Sequence, residues 1–127
     1  MPEHPNAQLL RKIYARDDET FQRMMAPEYV CHTPGRSQVA GDFKGWEHRT
    51  RHGAQIGELT NKTFRVQPLG EFLVDDEWGM VPVQISAERD GKRLDMQAFG
   101  IWRFRDGKIA EHWEMNFDQA TFDEFFK

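Results

Sequence analysis

Beyond Thr63 the chain stops reading as helix and reads as strand, and this change of period limits the possible folds more than any other feature. Phe64 to Leu69, Met80 to Arg89, Lys92 to Arg105 and Lys108 to Phe117 have strand-like lengths and patterns. Short turns join them. Two contain Asp-Gly, a dipeptide that tolerates the positive φ angles of tight hairpins. The expectation is an antiparallel meander. After Gly91, Leu94, Met96, Ala98, Trp102 and Phe104 alternate with Arg93, Asp95, Gln97 and Arg103, so one face packs inward. Phe99 and Ile101 break the alternation on the other face. With Trp113 and Met115 they form an apolar outer patch that a second copy of the chain would cover, so a homodimer is expected.

Ahead of Thr63 the spacing is helical. Asn6 is a candidate N-cap for a helix carrying Leu9, Leu10, Ile13 and Tyr14. A second short helix runs from near Asp18 and ends before Pro27. Tyr29 to Thr33 reads as a short strand closed by Pro34 and Gly35, and a loop through Gly41 leads to a third helix from about Gly45 to Glu58. Asp118 to Phe126 is a short amphipathic helix capped by Asp118, with Phe122, Phe125 and Phe126 on its buried side. These elements predict a single α+β domain over residues 1–127. Its N-terminal helices close the concave face of a cone-shaped, curved antiparallel sheet and leave an internal pocket.

Composition narrows the function. Seventeen Lys and Arg against twenty-one Asp and Glu give a net charge of -4, which argues against nucleic acid as a partner. A single cysteine, Cys31, excludes an internal disulfide, and in its apolar surroundings it reads as packing. No apolar run approaches the roughly 18 residues of a membrane span, and no signal peptide is evident, so a soluble cytoplasmic protein is expected. Ten Phe, four Trp and two Tyr exceed what a small core requires, which assigns some of them to a pocket wall or a subunit contact.

Three stretches carry a resemblance to a known family: His32-Thr33-Pro34-Gly35 followed by Gly41 and Gly45, then Ala87-Glu88-Arg89-Asp90-Gly91, and above all Asp106 through Glu114. With the element order, they resemble the SnoaL-like group of the nuclear transport factor 2-like superfamily, home to ketosteroid isomerases, limonene-epoxide hydrolases and polyketide cyclases, on the cystatin-like cone. The resemblance implies that the catalytic aspartate of ketosteroid isomerases falls on His32, and that their two oxyanion donors fall on Leu10 and Gly100, which cannot donate from a side chain. It places the acidic residue used by cyclases and epoxide hydrolases on Glu114, with His112 and Asn116 pointing the same way, and turns His52 toward the cavity.

His32 has an unperturbed pKa near 6.5, which suits a general base, or it is a rim histidine bonded to the adjacent loop. Glu114 and His112 lie on a strand whose odd positions, Ile109, Glu111, Trp113, Met115 and Phe117, compete with the even set for the inner face. If Arg105-Asp106-Gly107 is a three-residue turn, Gly100 lies opposite His112 and the even set faces the pocket, whereas a two-residue Asp106-Gly107 turn reverses the faces. The three-residue turn is the expectation. His48 and His52 share a helical face, read with Arg49 and Arg51 as solvated and basic rather than metal-binding. Tyr14 could donate a phenol hydrogen, and Met24, Trp46 and Trp102 would supply apolar walls.

The resulting expectation is a small enzyme needing no cofactor or metal. His32, Glu114 and His112 would be catalytic. Tyr14, Met24, Trp46, His52, Trp102 and Asn116 would hold an apolar oxygenated substrate for isomerisation, dehydration or aldol-type cyclisation. The alternative is a non-catalytic ligand-binding or accessory protein on the same scaffold.

Overall fold

The structure, a computed structural model, describes residues 2–127. The helical half contains α1 (Pro5–Tyr14), α2 (Asp18–Arg23) and α3 (Gly45–Leu59), with β1 (Met25–Thr33) and β2 (Gly41–Lys44) between α2 and α3. Next come β3 (Arg65–Pro68), β4 (Leu73–Val74), β5 (Trp78–Arg89), β6 (Lys92–Arg105), β7 (Lys108–Asn116) and α4 (Gln119–Phe125).

Helix α1 starts two residues earlier than expected. His4 caps it by accepting the Asn6 N–H on Nδ1, with Pro5 in the first turn, where its missing N–H costs nothing. Asn6 itself turns inward and donates from Nδ2 to the Asp75 carbonyl. Asp17 caps α2 by accepting the Thr20 N–H, and Asp118 caps α4 through Thr121 as expected. Strand β1 begins earlier than its sequence suggests. Pro27 falls where the ladder to β7 slips, between Met25 opposite Ile109 and Val30 opposite Glu111, so its missing donor breaks no regular pairing.

One curved sheet runs in the order β2-β1-β7-β6-β5-β3, with β4 also on β5. The predicted β5-β6-β7 meander is present. It does not continue to the edge, because β1 lies parallel to β7, and β2 and β4 form strands where loops were expected.

Both Asp-Gly hairpins are two-residue turns with positive φ at each central residue: 50° and 76° at Asp90 and Gly91, 53° and 77° at Asp106 and Gly107. The three-residue turn expected after Phe104 is therefore absent. The inward even set that it implied is reached by another route, but the expected pairing of Gly100 with His112 is not. Phe104 pairs with Ile109 and Arg103 with Glu111, so Ala110 is an extra residue in β7, and this bulge switches the parity of the strand. Beyond it, Gly100 lies opposite Glu114 and Trp102 opposite His112, and the even set faces inward.

Leu10, Val81, Val83, Ile85, Leu94, Trp102, Ile109 and Phe126 are among the core side chains packed between sheet and helices. On the outer face, Trp78, Met115 and Phe117 are exposed and Phe99, Ile101 and Trp113 half-buried. Among the described residues, no helix is long and apolar enough to cross a membrane.

Candidate active site

A cavity of about 460 Å³ lies between α3 and the concave face of the sheet. Its walls are the inward positions of successive strands. Tyr29, Cys31 and Thr33 come from β1, Val66 from β3, Ile85 from β5, Trp102 from β6, and His112 and Glu114 from β7. Ile13 and Tyr14 of α1, Phe21 of α2, and Arg49, His52, Gly53, Ile56 and Gly57 of α3 close it.

His112 and Glu114 are adjacent inward positions of β7. Trp102, the cross-strand partner of His112, stacks on its ring at 3.7 Å with 7° between the planes. His112 Nδ1 lies 3.7 Å from Cys31 Sγ, and its Nε2 lies 3.9 Å from Glu114 Oε1 with no hydrogen-bond partner. Glu114 Oε2 is likewise buried and unpartnered. Each side chain keeps a little accessible surface, 12% for His112 and 21% for Glu114, as wall residues of a cavity do.

Burial dominates the electrostatics. It pushes the Glu114 carboxyl up to about 7. It pulls the His112 imidazole down to about 3, helped by the charges of Arg49, His32 and His52, so the ring is neutral at physiological pH. The Cys31 thiol is pushed up to about 12 by burial and by Glu114, which keeps its proton on.

Tyr14 reaches the same region from the end of α1. Its hydroxyl accepts a hydrogen bond from Trp102 Nε1 at 3.1 Å, and burial followed by the Glu114 charge raises its pKa far beyond the normal phenol range. That hydroxyl occupies the space a side chain at Gly100 would fill. Opposite Glu114, glycine leaves the room that this hydroxyl fills.

His52 donates from Nε2 to the Val39 carbonyl at 2.8 Å and stacks on Phe43, and burial lowers its pKa. It lines the cavity as a fixed wall.

His32 does not line the cavity. Because β1 runs parallel to β7 with Cys31 opposite His112, the odd residues of β1 face inward and His32 faces out. There it stacks on Trp113 at 5.2 Å and bridges Asp42 (2.7 Å from Nδ1) and Glu111 (2.6 Å from Nε2). Burial lowers its pKa, but the bonds to the two carboxylates outweigh this and leave it above the usual histidine value. The geometry of a base acting in the cavity is absent. Asn116 shares the inward parity but lies beyond the cavity wall, donating to Gln119 with Oδ1 unpartnered. Met24 and Trp46 also sit behind the wall, Trp46 edge-on to Phe21.

Sequence reasoning missed Thr33, Tyr29, Gly53, Gly57 and Arg49, the last having been read as part of a solvated face. A signal was present, since Arg49, Gly53 and Gly57 recur every four residues and so share one stripe of α3.

A curved sheet closed by helices over a cavity with inward-facing polar residues defines a nuclear transport factor 2-like, cystatin-like domain. The chain belongs to the SnoaL-like domain family, whose model matches residues 7–112. Among solved structures, it is similar to Bal32a from a soil-derived mobile gene cassette, at 33% identity over 97% of both chains with a TM-score of 0.88. It is also similar to a protein of unknown function with a cystatin-like fold from Xanthomonas campestris, at 22% identity over 95% of this chain and 97% of that one, TM-score 0.84. TerC, co-crystallized with polyporic acid, aligns at 21% identity over 97% and 98%, TM-score 0.81. The last two likenesses are of fold alone. No curated protein matches the sequence.

Proposed function

We propose that this domain is a cofactor-independent enzyme that moves a proton at a carbon beside a carbonyl, with Glu114 as the group that takes and returns it. The carrying observation is the pair of unpartnered buried atoms, Glu114 Oε2 and His112 Nε2, on one cavity wall. A buried polar atom without a partner destabilises a fold by about 1–3 kcal/mol, so two side by side are best explained by a ligand that satisfies them. A carboxyl near pKa 7 is matched to proton exchange at neutral pH. SnoaL-like membership and a neighbour of the same fold crystallised with a small organic molecule support the reading.

The chain's own groups divide the work. Carboxylate Glu114 abstracts the proton and negative charge moves to the carbonyl oxygen. Tyr14 accepts from Trp102 and keeps its own hydrogen free for that oxygen. A protonated Cys31 donating to His112 Nδ1 leaves the hydrogen of the neutral ring on Nε2, a second donor. Return of the proton to another carbon gives isomerisation, and attack of the enolate on a second carbonyl gives aldol-type cyclisation.

The test follows deuterium exchange at the α carbon of a panel of cyclic ketones by NMR in D2O. Glu114→Gln should slow exchange by roughly a hundred- to ten-thousand-fold with ketone affinity nearly unchanged. Unchanged exchange in that variant would assign Glu114 to structure.

A further inference from the structure

The cavity wall contributed by α3 is built unlike the rest. Gly53 and Gly57 sit inside a 15-residue helix, both line the cavity, and nothing lies within 4 Å of where a Cβ would stand at either. Glycine in a helix interior lowers stability by roughly 0.5–1 kcal/mol relative to alanine. No steric contact explains that sacrifice here. Its effect is a bare groove along α3, and Arg49 stands at its head, one turn before Gly53.

Arg49 is a held but unspent cation. Its guanidinium lies over the Phe21 ring at 4.7 Å and the Trp46 ring at 5.3 Å, held by attraction to both π faces. Among the described residues its only carboxylate neighbour is Asp18, at 3.9 Å and largely exposed, and its N–H groups make no hydrogen bond. It is close enough for its charge to act on His112, Cys31 and Tyr29. Three further cations line the same cavity. Arg16 donates to the Phe64 carbonyl, Arg65 donates to the carbonyls of Lys62 and Phe64, and among the described residues neither they nor Lys62 pairs with a carboxylate. In a chain of net charge -4, this mainly apolar cavity is lined by four cations against two carboxylates, Asp18 and Glu114, so its wall is locally positive.

We propose that the ligand of this cavity is a carboxylate-bearing apolar molecule, its carboxylate bound by Arg49 and its body lying along the glycine-walled groove toward Glu114. A planar guanidinium with free N–H groups matches a carboxylate in two parallel hydrogen bonds, and partial burial strengthens them. The inference rests on this cavity being the active site, and it names the class of substrate that site takes.

Paired probes test it at pH 8: 2-naphthylacetate and its neutral isostere 2-naphthylacetamide, titrated calorimetrically against the full chain. The acid should bind at least about tenfold tighter than the amide, and Arg49→Met should erase the preference by weakening the acid alone, with Arg49→Lys between. In the wild-type protein, whose folding no substitution disturbs, the Arg49 Nε–Hε resonance should shift with the acid and not with the amide. Equal affinities, a preference for the amide, no binding of either probe at millimolar concentration, or an unmoved Arg49 resonance would overturn the proposal. The proton-transfer reading stands or falls separately, on whether α-carbon exchange depends on Glu114.

Discussion

The Tyr14 hydroxyl occupies the volume that a side chain at Gly100 would need. A methyl group there collides with the phenol oxygen, while Trp102 Nε1 would be close at 3.2 Å and the ring carbon behind the oxygen in ordinary contact at 3.5 Å. Gly100→Ala should therefore lower stability by about 1–3 kcal/mol in denaturant unfolding, as overpacking does. In a Tyr14→Phe background the same substitution should be much better tolerated. Equal penalties in both backgrounds would show that the two positions do not touch.

Glu114 should make the fold lose stability as pH rises from acid to neutral. Its folded pKa of about 7 lies above the ordinary 4.5, so the unfolded chain loses this proton first as pH rises. The carboxyl is neutral and harmless below about pH 4.5, and its destabilisation grows from there to about pH 7 and then levels off, reaching on the order of 3 kcal/mol. Glu114→Gln removes this destabilisation. The stability difference between variant and wild type should widen in favour of the variant between pH 5 and pH 7.5, and a constant difference would contradict the burial of the charge. His112 acts with the opposite sign, because an imidazole neutral in the fold loses stability as pH falls below the unfolded value of 6.5.

Alanine at Gly53 or Gly57 meets only open space, so each substitution should raise the unfolding midpoint, by roughly 0.5–1 kcal/mol in stability. Both should weaken binding of 2-naphthylacetate by narrowing the groove. Stabilisation with full affinity would mean that the glycines do not serve a ligand.

The outer sheet face should be covered by a second copy of the chain. Met115 and Phe117 are 49% and 59% exposed beside the half-buried Phe99, Ile101 and Trp113. Next to them His32, Arg103, Glu111 and Asp42 bring both signs of charge into one cluster, which a twofold copy can match to itself. Sedimentation at micromolar concentration should give a dimer, and Met115→Glu should give a folded monomer. A wild-type monomer would refute this.

Much of this protein is local and was legible in its residues. The positions of the Asp-Gly hairpins, the inward set of β6, the Asp118 cap and the helix-then-sheet order all follow from backbone preferences and periodicity within a few residues of each position, although the second hairpin turns in two residues rather than the expected three. Which way β7 faces did not follow. The turn points Trp113 inward, and one extra residue at Ala110 reverses the strand, a choice made by packing against β1 and β6 rather than by any local motif. His32 was misplaced for a related reason. A parallel pair has no hairpin to set its register, so only the assembled sheet determines that Cys31, and not His32, meets His112. Arg49 and its two glycines were visible as a stripe on a helix. Whether a helical stripe meets solvent or a cavity depends on where the helix docks, and that was decided by the tertiary structure when α3 settled over the concave sheet and left room beneath it.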